Sequence, residues 1–592
     1  MTAPDALAVL LEAGLIAPAE DSESRAFAFR HALLHDAAYA SLLRAERRSL
    51  HRAVGEVLEA DYTPASDALE LAPRLADHFQ EAGDLPRAQD YLTQAGDAAA
   101  LRYANAEAIA HYRRALATLD LSRAEPAVVQ HLSLALGQAL ELSGRHAEAL
   151  AAYEQLELIA HDRGEADAEY AAVMARAKIY ATLTPEQDPA RARAVLEQAR
   201  TEVRGRHDDA AESHVLWNLM VLRTWGGEDY PAAIDFGRQA VELARRAGDR
   251  ERLAFALNDL AYPFVATDQL ASALEVIGES QPIWRELGNV PMLVDNLSQA
   301  VLLHYHFGDF LAGEACAAEA IRRSDEIGNV WGQTNSRLYY GHILLERGEV
   351  AAAVEMMRTA IRWGDVSRHP GALVGARTDL GLLLAELGAM SEAATLVEAA
   401  ETIAAEIGPS IRAYPVVAQA RLALLEDDRV AAAAALARAG GLLRPAGLQW
   451  FAPLHIPLIE AELALADGDA ENALRGLDRL RQKVESMPAR PFLPEVRRQS
   501  ARALARLGRL DEALEHLRLA RHEAEAMGSR WRLVPILVDL SRALLSTGDR
   551  EASSRALADA RRTIGPILDA LPEGEDWSAF KSRPDVRAAV QG

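Results

Sequence analysis

The chain is poor in cysteine, lysine and aromatic rings and has no long apolar run, and each scarcity removes a class of protein. Cys316 is the only cysteine among 592 residues, so no disulfide framework exists and a reducing compartment fits. Of 63 basic residues only Lys178, Lys483 and Lys581 are lysines, and 87 acids bring the net charge to −24. Such a surface repels phosphate backbones, which argues against nucleic acid as a partner. No Gly-Lys pair occurs anywhere, so the phosphate-cradling loop of P-loop ATPases is missing. The first basic residue is Arg25, which leaves no basic flank for a secretory leader. A bilayer span needs about 18 apolar residues in succession, and none is found. The expectation is a soluble cytoplasmic protein without membrane contact. Hydrophobic residues make up 50% of the chain but aromatics only 6%. Ala and Leu therefore supply the apolar content, a composition that favours helix. No alternating run of Val, Ile or Thr argues for a sheet.

What is present is periodicity. Glycines stand at 308, 348, 388, 468, 508 and 548, a comb of 40 residues whose missing tooth falls at Asp428. Asp268 extends it backwards, and Gly227 and Gly144 continue it less regularly. A second comb, about 20 residues later, runs through Gly248, Gly288, Gly328, Gly408 and Gly528. Two glycines per period, each followed by a fresh apolar pattern, predict two helices and two turns per repeat, since helices often end on a residue of positive φ.

Columns counted from the first comb describe how the helices meet. Seven residues before it the side chains are small (Gly137, Ala261, Gly341, Gly381, Ala501), and four before it they are large (Leu140, Phe264, Leu344, Leu384, Leu504). Five after it stand Ala149, Ala273, Ala353, Ala393, Ala433, Ala473 and Ala513, and twelve after it Ala320, Ala360, Ala400, Ala520 and Ala560. Small residues let two helix backbones approach closely, and the large column fills the space between them.

These columns resemble the tetratricopeptide (TPR) repeat over roughly residues 70–565. The period of 40 rather than about 34 resembles the MalT-like superhelical branch of that family. The resemblance implies an all-α, right-handed superhelical solenoid of about twelve TPR-like helix pairs over 66–565, followed by a tail over 566–592. Residues 1–120 do not obey the comb. The string Phe29-Arg30-His31-Ala32-Leu33-Leu34-His35-Asp36, with Leu7–Ile16 before it, looks like the junction after the ATPase core of bacterial signal-transducing ATPases that carry a TPR arm, many with a class III nucleotide cyclase. Residues 1–65 are then expected to be a junction module with a winged-helix remnant.

Catalysis is not expected. His31 and His35 have a zinc-binding spacing but no third ligand, so helix packing and capping account for them better. Cys316 sits in an Ala-rich helix as a small buried side chain. No nucleophile or paired-carboxylate signature emerges, and no cofactor or metal is expected. The resemblance implies that the first helix of each pair lines a concave groove, at 13, 10, 6, 3 and 2 residues before the turn. Those positions hold His214, Trp217, Trp225, Asn258, Tyr262, Asp295, Ser298, Tyr305, His306, Asn335 and His342. Rings beside amides and imidazoles suit a peptide or a small effector. Further along the same columns read as aliphatic (Leu382, Ala385, Leu422, Leu425), then basic (Arg498, Arg502, Arg506, Arg542). His304 stands in a column otherwise filled by Leu or Phe, as a satisfied core residue or the mark of a polar pocket. Two functions fit: the regulatory arm of an ATPase or cyclase that acts in trans, or a freestanding adaptor joining proteins.

Overall fold

The computed structural model describes residues 3–18, 27–64, 68–182, 184–226, 229–367, 370–407, 409–443, 452–487, 489–571 and 577–591. From Leu71 to Asp569 helix follows helix through twelve consecutive pairs and one odd member. The expected tetratricopeptide-like solenoid is therefore the fold, with 85% of the described residues helical. No described helix is long and apolar enough to cross a membrane. The chain divides into two compact units, Met1–Ala172 and Val173–Gly592.

The first unit opens with helix Ala3–Glu12 and a two-stranded antiparallel hairpin, Ile16–Pro18 against Phe27–Phe29, with Ile16 opposite Phe29. Helices Ala32–Ser41 and Arg44–Ala60 follow. His31 is the N-cap of the former without using its side chain, and His35 leans on Phe29 and Tyr39 with Nδ1 3.0 Å from Asp36. The helix pairs then begin. Gly96 and Gly137 let successive helices touch: an added Cβ would come within 2.6 Å of Tyr112 and 2.1 Å of Tyr153.

In the second unit nine pairs run from Asp209–Gly226 with Tyr230–Ala247 to Arg530–Ser546 with Arg550–Asp569. The first helix of each pair faces inward and the second outward. Both combs mark left-handed turns: Gly308, Gly348 and Gly388 have φ of 69°, 81° and 87°, and Gly248 and Gly288 have 70° and 67°. Gly227 and Gly408 lie outside the described residues. The alanine columns are contact surfaces, since Ala353, Ala393, Ala513, Ala360 and Ala560 are wholly buried.

One repeat departs from the expected phase. The left-handed residue is Asp427, with φ 59°, while Asp428 caps the next helix by accepting a hydrogen bond from the Ala431 amide. Aspartate tolerates that conformation where most residues do not. Every column of this repeat therefore moves back by one, so Ala432 is buried and Ala433 is exposed.

The coil of the second unit returns upon itself after about five repeats. The turn at Gly308 lies against Met527, that at Gly348 against Ile567, and that at Gly388 against Ala579. Residues 577–591, expected as part of a tail, form helices Ser578–Ser582 and Pro584–Gln591. Phe580, wholly buried, stacks on Trp531 at 5.8 Å. Leu344, Leu384 and Val397 share one apolar cluster with Leu537, Ile564 and Phe580.

Candidate functional site

Self-closure turns the inner face of the second unit into a cavity of about 210 Å³. Its wall comes mainly from the inner helices, at the offsets read from the comb: Tyr305, His342, Glu346, Leu382, Glu386, His455, Glu462, Glu495 and Arg498. With the turn placed at Asp427, Tyr414, Val417 and Arg421 occupy those offsets too and line the same space. Arg532, Trp531, Phe580 and Arg583 close it from the returning end.

Buried charge here is paired across large sequence separations. Glu346, 1% exposed, accepts from Ser529 Oγ at 2.5 Å and from Arg532 Nε at 3.0 Å. Arg583 donates at 3.1 Å to both the backbone oxygen and the carboxylate of Glu386. Arg421 bridges Glu386 and Glu462. Burial pushes Glu386 upward, but Arg421 and Arg583 outweigh it and hold the carboxyl down at about 2. Glu495 is treated likewise, burial being overcome by Arg498, and also lies at about 2. Such pairs desolvate both partners, so their strength lies in geometry and in the cost of breaking them.

The residues singled out from the sequence fall into two groups. The first gathers around two aspartates. His214 stacks on Trp217 at 5.7 Å, and Trp217 Nε1 donates to Asp259 at 2.9 Å. Asn258 donates to Asp295 at 2.6 Å, the Tyr262 hydroxyl lies 3.4 Å from the same carboxylate, and Trp225 packs on Tyr262 at 5.0 Å. Burial raises Asp259 to about 6. Burial and the charge of Asp259 raise Asp295 to about 7.

The second group is Tyr305, His306 and His342. Tyr305 lies 5.5 Å from His306 and 5.4 Å from His342, whose Nε2 is 3.2 Å from Asp379. Burial, aided by His342, drives His306 down to about 3. Of the eleven positions only Tyr305 and His342 reach the cavity wall. The side chains of Ser298 and Asn335 hydrogen-bond back to their own helices, at Val294 and Trp331. His304 lies 3.9 Å from Asp309 and does not reach the cavity wall. Cys316 is half-buried beside Val301 and Tyr305, and burial pushes its thiol up.

Asp259 and Asp379 were not among the expected residues, nor was the ion-paired wall from Glu346 to Arg583. His455, Glu462 and Glu495 stand in the groove columns and were legible there. Asp379 lies between columns, and Arg583 lies beyond the comb altogether.

Fold and site together define a tetratricopeptide-like solenoid whose inner face forms a partly open cavity. No protein-family model and no curated protein matches the chain. Many solved structures are similar to it, three of them as follows. The APC/C hetero-tetramer Cut9–Hcn1 shows 13% identity and a TM-score of 0.47, covering 91% of this chain and 94% of that one. A Rap protein complexed with Competence and Sporulation Factor shows 14% and 0.41, covering 68% and 99%. A Signal Transduction ATPase with Numerous Domains that carries a tetratricopeptide repeat sensor, from Pyrococcus horikoshii, shows 13% and 0.32, covering 64% and 54%. At these identities and scores the similarities assign neither family nor function.

Proposed function

We propose that the protein is a non-catalytic binding scaffold that captures a peptide, a protein segment or a small effector on the inner face of its second unit. The observation that carries this reading is the cavity itself. Inner helices of successive repeats point rings, imidazoles and paired charges into one partly open space, the arrangement of a recognition site with few directional groups on apolar walls. No nucleophile, phosphate loop or metal-ligand motif in the sequence supports turnover, and purified chain should neither hydrolyse ATP nor form cyclic nucleotide.

Of the two roles considered, regulatory arm and freestanding adaptor, the first is favoured by the N-terminal module. Its helices and hairpin expose Leu33 (81%), Leu43 and Val57 (69% each), together with Val9 and Leu50. An apolar surface of that kind suits a partner domain, such as an ATPase or cyclase acting in trans. Affinity capture from the native cell, read by mass spectrometry, tests the scaffold reading. Trp217→Ala and Tyr305→Ala should weaken capture more than tenfold, over about 1.4 kcal/mol, with helical content unchanged and Arg502→Ala neutral. Capture unchanged by both aromatic variants would overturn it.

A further inference from the structure

The cavity is short of positive charge. Six carboxylates and four guanidiniums line it among the described residues, so acid outnumbers fixed positive charge on the wall. All four guanidiniums are engaged: Arg421 with Glu386 and Glu462, Arg498 with Glu495 and Asp539, Arg532 with Glu346, and Arg583 with Glu386 and Asp585. An anion could enter only by displacing a buried carboxylate and leaving it unpaired, which is costly.

Asp379 is different. It is 8% exposed and lines the cavity, yet its partners are the Tyr414 hydroxyl and His342, and among the described residues no arginine or lysine pairs with it. Beside it His455 makes ring contacts with Tyr414 at 6.0 Å and Phe492 at 5.4 Å, and no hydrogen bond among the described residues. Burial drives that imidazole down to about 4, so at neutral pH it adds no charge and keeps one donor and one acceptor free. Tyr305, Phe492 and Trp531 supply ring faces on the same wall. A buried carboxylate that pairs with an imidazole and a hydroxyl rather than with an arginine or lysine, among aromatic faces, suits an ammonium or guanidinium group.

We propose that the cavity recognises a cationic nitrogen group seated on Asp379 and flanked by Tyr305, Tyr414 and His455. Two sources carry that chemistry, a lysine or arginine side chain of a captured peptide and a free polyamine. The inference rests on the scaffold reading and adds the sign of the ligand.

Calorimetry on the purified full-length chain tests it, with short peptides rich in lysine and arginine, matched peptides rich in glutamate, and spermidine as probes. The basic probes should bind and the acidic ones should not. Asp379→Asn should weaken basic-probe binding by about tenfold or more while Tyr414 still donates to the amide oxygen. Leu382→Lys, which puts a resident ammonium in the cavity, should block the same probes. Binding of peptides alone identifies the source as a side chain, and binding of spermidine identifies a free amine. The proposal falls if no basic probe binds, if acidic peptides bind as well, or if both variants retain wild-type affinity. Capture of acidic or neutral peptides that remains sensitive to Tyr305→Ala would leave the scaffold reading standing without the charge preference. Partner capture indifferent to Trp217→Ala and Tyr305→Ala would remove the scaffold reading itself.

Discussion

Ala432 and Ala433 are adjacent and chemically identical, yet only the first lies in a helix contact. Ala432→Leu should overpack that contact and destabilise by roughly 1–3 kcal/mol, as should Ala393→Leu. Ala433→Leu should leave the melting temperature unchanged, and equal effects at 432 and 433 would show the phase to be wrong. The repeat betrays what a sequence reading can miss. Glycine marks a left-handed turn plainly, but here Asp427 takes it, and the neighbouring Asp428 fits the 40-residue spacing better. The resulting one-residue error hid Tyr414 and Arg421 behind Leu422 and Leu425.

Asp295 offers a second test at this scale. Its folded pKa is raised to about 7 from 3.8, so the folded chain binds more protons than the unfolded one between those values. Stability attached to this group is present at low pH and is lost as pH rises towards 7 and beyond. Asp295→Asn should therefore melt higher than wild type at pH 8, by the equivalent of about 1–4 kcal/mol, and the gap should narrow as pH falls below 7 and close near the unfolded pKa, at about pH 4. A gap independent of pH would contradict the account of this carboxylate.

At the scale of elements, what was legible was the helix pair. Small columns, large columns and turn residues recur in every period because each pair solves the same packing problem against its neighbour. Closure is a different kind of fact. Glu346 meets Ser529 and Arg532, and Arg583 meets Glu386, across some 180 to 200 residues, and no repeat pattern encodes that distance. Helices Ser578–Ser582 and Pro584–Gln591 escaped the comb because they are not a repeat. Glu346→Gln should leave Arg532 short of its charge partner at a cost of roughly 1–3 kcal/mol. Amide exchange should then rise in both Val330–Glu346 and Arg530–Ser546. A rise confined to the mutated helix would mean that the pair does not hold the closure.

At the scale of the molecule, the chain carries two compact units. Coupling in a solenoid runs mainly between neighbours, so unfolding should show more than one transition rather than a single two-state step. The self-contact of the second unit should make Val173–Gly592 the more cooperative of the two, and a single transition with equal calorimetric and van't Hoff enthalpies would contradict both statements. The central claim is that partners are held inside the second unit. Amide exchange on the purified chain, free and bound to the partner it captures from its own cell, tests that most directly. The account expects new protection along the inner helices Val290–Phe307, Val330–Glu346, Pro370–Glu386, Pro409–Leu425 and Ala452–Ala466, with the outer helices little changed. Protection confined to the outer helices or to residues 3–60 would contradict it.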